Sequence, residues 1–230
     1  SDYTHQNGTA NYVLGIALSH QDPDKIYIAT QGYYTEIVGG TPCIVDNDGV
    51  LAGCEVSLTW NDPTAYMSYN IFKTTDGGVT WTDVSPVGDL SGVIGEITGI
   101  AVSTVNDDQV WITYSGFERK VAGATLKNQN VFKTTNGGVD WYADFDASSN
   151  LPISYTNKVA YQDNTNDRVF IATDKGIFWK ENGINWQQFS TGLPNCPITD
   201  INIDYCEGAI YASSYGRGAW RSPLPINTYD

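Results

Sequence analysis

Basic side chains are scarce in this 230-residue sequence: Lys and Arg together number 12 against 26 Asp and Glu, giving a formal net charge of −14. Nucleic-acid backbones and anionic membrane surfaces call for clustered cations, so neither is an expected partner. Histidine occurs only as His5 and His20, and Met only once. With no Cys-x-x-Cys beside them, two such imidazoles assemble no zinc site, and neither lies near a Ser or Cys motif suited to a nucleophilic triad. No phosphate-binding loop is present, because the Gly-Gly pairs at 77–78 and 137–138 are followed by neither Lys nor a helical pattern. Long apolar runs are missing as well. None approaches the ~18 residues that span a bilayer, no segment carries a helical stripe, and no secretory leader is seen at Ser1. Membrane insertion is therefore not expected.

Glycine and aromatics are plentiful, with 23 Gly, 15 Tyr, 7 Trp and 7 Phe, as short strands joined by tight turns require. A strand–turn–strand unit recurs four times. Val13–Ser19 turns at Gln21–Asp24 into Lys25–Thr30, and Gly99–Ser103 turns at Asn106–Asp108 into Gln109–Tyr114. Lys158–Tyr161 leads into Arg168–Thr173, and Asp200–Ile203 into Ala209–Ser214. Each unit is followed by a third strand led by an aromatic: Phe72, Phe132, Phe178 and Trp220. Periods of roughly 40 to 50 residues with four strands per unit are those of propeller blades rather than of helical repeats, and insertions between second and third strands lengthen the first two intervals here.

The corner after the third strand repeats in sequence. Lys73-Thr-Thr-Asp-Gly-Gly-Val-Thr-Trp81 reappears as Lys133-Thr-Thr-Asn-Gly-Gly-Val-Asp-Trp141 and, decayed, as Trp179-Lys-Glu-Asn-Gly-Ile-Asn-Trp186. Glycine supplies positive φ without a Cβ penalty, and a short acidic or amide side chain before it can hold turn amides. The pattern Thr74-x-Asp76-x-Gly78-x-Thr80-Trp81 resembles the Asp-box, or bacterial neuraminidase repeat, of β-propellers such as sialidases, sortilin-type receptors and xyloglucanases. The resemblance implies turns at the outer rim, away from any central pocket. Asp76, Gly78 and Trp81, Asn136, Gly138 and Trp141, and Glu181, Gly183 and Trp186 are accordingly expected as structural residues, with no catalytic residue among them.

The fold expected is all-β: one propeller region over 1–230 built of four-stranded antiparallel blades. Blade one covers about 12–85 with a long insertion at 31–70 between its second and third strands, blade two about 96–146, and blade three about 153–190. A partial blade four, at about 198–224, lacks its outer strand, so the region is expected to be part of a larger propeller. The end, Tyr215-Gly-Arg-Gly-Ala-Trp-Arg-Ser-Pro-Leu224, also resembles the close of propeller regions in large proteins exported by bacterial type IX secretion. An extracellular or cell-surface location follows from that likeness.

The four cysteines fall into two local couples, Cys43 with Cys54 and Cys196 with Cys206. Three pairings are formally possible, and the two local disulfides are the expectation; oxidised pairs agree with an extracellular compartment. Asp46 and Asp48 resemble half a calcium loop but lack the later bidentate Glu, so no cofactor is expected and calcium is the only metal with a candidate. Sialidases use three clustered arginines, whereas this chain has only Arg119, Arg168, Arg217 and Arg221, of which two fall in the loops between second and third strands. Those loops emerge on one face and carry Tyr33, Tyr34, Phe117, Arg119, Tyr215 and Arg217, side chains suited to sugar rings or protein partners. The reading is a non-catalytic binding or adhesion module of a larger secreted or surface protein, contacting protein or carbohydrate. The alternative is a fragment of a glycoside hydrolase with catalytic residues partly outside the chain; a facing carboxylate pair at the axis would mark it.

Overall fold

The structure, a computed structural model, describes residues 12–35, 43–44, 65–86, 96–116, 118–121, 124–127, 130–144 and 150–225. Strands and turns make up the described residues, and no helix occurs among them. The first sheet runs β1 (Tyr12–Leu18), β2 (Ile26–Thr35), β4 (Ala65–Thr74) and β5 (Thr82–Asp83), with the short β3 (Cys43–Ile44) also paired to β2. The second runs β6 (Ile97–Val102), β7 (Val110–Tyr114), β10 (Val131–Thr134) and β11 (Tyr142–Ala143). The third is β12 (Thr156–Gln162), β13 (Arg168–Thr173), β14 (Gly176–Lys180) and β15 (Gln187–Gln188); the fourth is β16 (Ile198–Asp204), β17 (Ala209–Ser214) and β18 (Gly218–Pro223). All pairings are antiparallel, so each sheet is a propeller blade with its strands in chain order from the inside out.

Register makes the blades superposable residue by residue. Ile16 pairs with Ile28, Ile100 with Ile112, Val159 with Ile171 and Ile201 with Ala212, and each inner strand carries an irregularity two positions earlier, between Val13/Gly15, Ile97/Gly99, Thr156/Lys158 and Ile198/Asp200. A bulge at this one place in all four bends the inner strand and increases its twist. Successive inner strands pack on each other, β1 on β6, β6 on β12 and β12 on β16, which sets them around the axis.

Because side chains alternate across a strand, the internal blades are apolar on both faces and the core is divided into layers between blades. Ala17, Tyr27 and Ala29 of blade one meet Ile100, Val102 and Ile112 of blade two. Trp111 and Val131 of blade two meet Val159, Ile171 and Trp186 of blade three, and Phe170 and Ile177 of blade three meet Ile201 and Ile210 of blade four. Polar latches reinforce the layers: Lys25 Nζ of blade one lies 2.8 Å from Asp107 and 2.6 Å from Asp108 of blade two, and Tyr27 Oη donates to Asp107 O at 2.9 Å.

Three sequence expectations change here. The insertion expected at 31–70 is narrower at its base, because β2 and β4 run on as ten-residue strands in unbroken register from Ile26↔Thr74 to Thr35↔Ala65. The loop after β7 has structure of its own, a hairpin of β8 (Glu118–Val121) and β9 (Ala124–Lys127). The expected Cys196–Cys206 disulfide is not formed: Cys196, half-buried, and Cys206, exposed, are free thiols. They flank the seven-residue β16, whose ~3.3 Å rise per residue holds the two Cα atoms far beyond the ~7 Å a disulfide tolerates. Cys43 is on β3, while Cys54 and the calcium candidates Asp46 and Asp48 lie outside the described residues.

Candidate functional site: an axial groove

The repeated corners come first, since the sequence singled them out. In blade one Asp76 Oδ1 accepts from Thr74 Oγ1 at 2.7 Å and Thr80 N at 2.9 Å, and Oδ2 accepts from Thr80 Oγ1 at 2.5 Å. These bonds, led by those from Thr80, hold its carboxyl down at about 2. In blade two the roles are exchanged together: Asn136 Oδ1 accepts from Thr134 Oγ1 and Asp140 N, and its amide donates to Asp140 Oδ2 at 2.9 Å. In blade three Glu181 turns inward and pairs with Arg168, both side chains buried, while Arg168 also donates to Gln162 and Pro225 O. Gly78, Gly138 and Gly183 hold φ at 93°, 91° and 79°, the left-handed region that the corner requires. Each corner is tied to the first turn of its own blade, by Gly77 N to Asp24 O, Gly137 N to Asp108 O and Asn182 N to Asn166 O.

In blades two and three the tryptophan that ends the corner reaches across to the blade before it. Trp141 Nε1 donates to Val84 O at 2.7 Å and Trp186 Nε1 to Asp144 O at 2.8 Å, and both rings are buried. Trp81 is half-buried and donates to Gly78 O of its own turn at 3.2 Å. All these groups sit in rim turns and hold the blades together.

The residues expected to form a ligand face are at the opposite strand ends. Tyr33 and Tyr34 lie on the extension of β2 and Arg119 on β8, while Phe117 is outside the described residues. Tyr215 and Arg217 occupy the turn between β17 and β18, where Tyr215 is 76% exposed. Neither Tyr215 nor Arg217 lines the axial groove.

A cavity of about 310 Å³ lies instead along the inner strands, lined by β12 from Lys158 to Tyr161, by Ile201–Ile203 of β16, and by one turn residue from each blade. Those four are His20, Thr104, Asp163 and Tyr205, brought together because every inner strand ends at the same side of the ring. Tyr205 Oη accepts from Asp163 N at 2.9 Å and reaches Tyr161 O at 3.3 Å, fixing two aromatic walls. Burial, with Asp163 beside it, pushes the Tyr205 phenol up to about 12, and burial likewise raises Tyr161, so both stay neutral donors. Lys158 supplies the ammonium, 3.8 Å from Asp200. Asp163 is the one carboxylate among the lining residues. The groove thus offers aromatic faces, an amide at Asn202, an imidazole and a cation, a set for holding a ligand. No group of three or more His, Cys, Asp or Glu side chains able to hold a metal occurs among the described residues. Sequence reading missed the groove because its walls come from four distant turns, each of which reads alone as an ordinary polar corner.

No family model and no curated protein sequence matches the chain. Solved structures do. A GH74 enzyme from Niastella koreensis superposes with a TM-score of 0.55 at 15% identity, over 93% of this chain and 27% of that one. YCF48 bound to a D1 peptide gives 0.54 at 16% identity, over 95% and 54%, and the GH74 xyloglucanase of Xanthomonas campestris 0.53 at 13%, over 91% and 36%. This chain spans about a quarter to a half of the lengths of those structures. At such identities the likeness carries the architecture and nothing finer: the chain folds as a β-propeller.

Proposed function

We propose that the chain is a non-catalytic binding module, marked by Asp-box corners, of a larger extracellular or cell-surface protein, and that it holds a protein or carbohydrate partner at the axial groove. The observation that carries this reading is the groove's chemistry: two neutral tyrosines, Asn202, Lys158 and His20 around a single carboxylate. Hydrolysis of a glycosidic bond by either common route needs two carboxylates set across the scissile bond. Aromatic faces with a few fixed polar groups suit recognition instead.

The test is a paired measurement on the full polypeptide, binding to panels of soluble β-glucans and extended peptides alongside release of reducing sugar from xyloglucan. Binding without turnover, weakened about tenfold or more by Lys158→Glu or Asn202→Ala and unchanged by Arg217→Ala, is the expected result. Turnover abolished by Asp163→Asn would establish the hydrolase reading in its place.

A further inference from the structure

The two ends of this stack of blades differ in chemistry. At the three internal interfaces the same inner-strand position is covered by the preceding blade, with Ile100, Val159 and Ile201 no more than 9% exposed. The equivalent residue of blade one, Ile16, is 56% exposed, and Leu18, equivalent to the buried Val102 and Tyr161, is 54% exposed. The pattern continues outward to the rim. A Cβ built on Gly138 would sit 2.6 Å from Val84 of the blade before, whereas one built on Gly78 would meet only Trp81 of its own corner. From axis to rim, blade one therefore presents the half of an interface that each later blade already uses.

Blade four presents a different surface. Where blades one to three carry Ala17, Ala101 or Ala160, blade four has Asn202, and Ser213 stands where blades one and three carry Ala29 and Ala172, while Tyr211 keeps the aromatic position of Tyr27, Trp111 and Phe170. Tyr211 and Ser213 are already engaged: Tyr211 Oη donates to Glu207 at 2.5 Å, Glu207 also meets Arg221, and Thr199 and Ser213 hydroxyls bond at 2.8 Å. A polar outer face is what terminates a repeat stack. Docking it on Ile16 and Leu18, within one chain or between two copies, would desolvate Asn202 and Thr199 against apolar side chains.

We infer that the face of blade one bearing Ile16 and Leu18 is the seat of a preceding β-blade carried on the same polypeptide, presenting small and aromatic apolar side chains to the inner strand. Continuity with three interfaces in this chain, each joining a blade to the one before it in sequence, selects that occupant. A two-fold pairing of blade-one faces would set Ile16 and Leu18 against themselves, whereas at each of the three interfaces the preceding inner strand presents an alanine, Ala17, Ala101 or Ala160. The inference rests on the blade packing and is independent of what the axial groove binds.

The experiment compares the full polypeptide as its source makes it with its Ile16→Asp variant, using thermal unfolding, sedimentation and intact mass. Ile16→Thr is the milder companion if the Asp variant does not fold, and Val105→Asp, at a position 60% exposed in a turn, is the control. The expected result is a polypeptide with chain preceding blade one, in which Ile16→Asp lowers Tm by at least about 5 °C while the control leaves it within about 1 °C. An Ile16→Asp Tm equal to the control overturns the inference. So does a dimer that Ile16→Asp converts to monomer, which would make the occupant a second copy.

Discussion

At the scale of residues, the corner pair Asp76/Thr80 and its exchanged counterpart Asn136/Asp140 show one hydrogen-bond geometry met by two donor–acceptor assignments. Because Asp76 is held at about 2, below the ~3.9 of an unfolded Asp, its contribution to stability is fully present above about pH 4 and is lost as pH falls toward 2. Asp76→Asn should therefore lower Tm at pH 7 and flatten its fall between pH 4 and pH 2, since Asn136 fills the role in blade two only together with the Asp140 carboxylate, where blade one has Thr80. Thermal unfolding across that pH range checks it. An unaltered acid slope would place the sensitivity in other carboxylates. The cysteines were misread at this same scale. Strand β16 was legible between Cys196 and Cys206, and its length alone separates them; local spacing was given weight that the intervening strand should have removed.

At the scale of elements, the inner strands, their partners and the aromatic-led third strands were legible because alternation, turn residues and the repeated corner agreed with one another. The hairpin β8–β9 was not: Glu118–Val121 shows no apolar alternation, the alternation of Ala124–Lys127 covers only four residues, and the two form a separate two-stranded sheet. The run of β2 and β4 beyond Gln31 was hidden for a related reason, since Gly32 and Ser68 read as loop residues but pair directly within the ladder. Between elements, the buried Trp141 indole bonded to Val84 O joins blade two to blade one. Trp141→Phe orphans that carbonyl in a layer from which water is excluded and should cost about 1–3 kcal/mol in chemical denaturation. Trp186→Phe should cost a similar amount, and Trp81→Phe, where the indole bonds within its own turn, clearly less in the 230-residue chain. Equal losses at all three positions would mean that ring packing, not the bond to the preceding blade, sets the energy.

At the scale of the whole molecule, blades are a quasi-linear stack in which each is stabilised by its neighbours, so stability should grade from the middle to the ends. Strands β7 and β13 are buried along their whole length, whereas β1 is largely exposed and β18 is an edge. The same arrangement sets the inner strands around a shared groove and aligns their turns at one side, a consequence of packing that no single repeat encodes. Amide hydrogen exchange along the 230-residue chain tests the arrangement most directly. The account predicts slowest exchange in β7 and β13 and fastest strand exchange in β1 and β18; protection in β1 and β18 equal to that in β7 and β13 would contradict an open stack of blades and show instead that its ends meet.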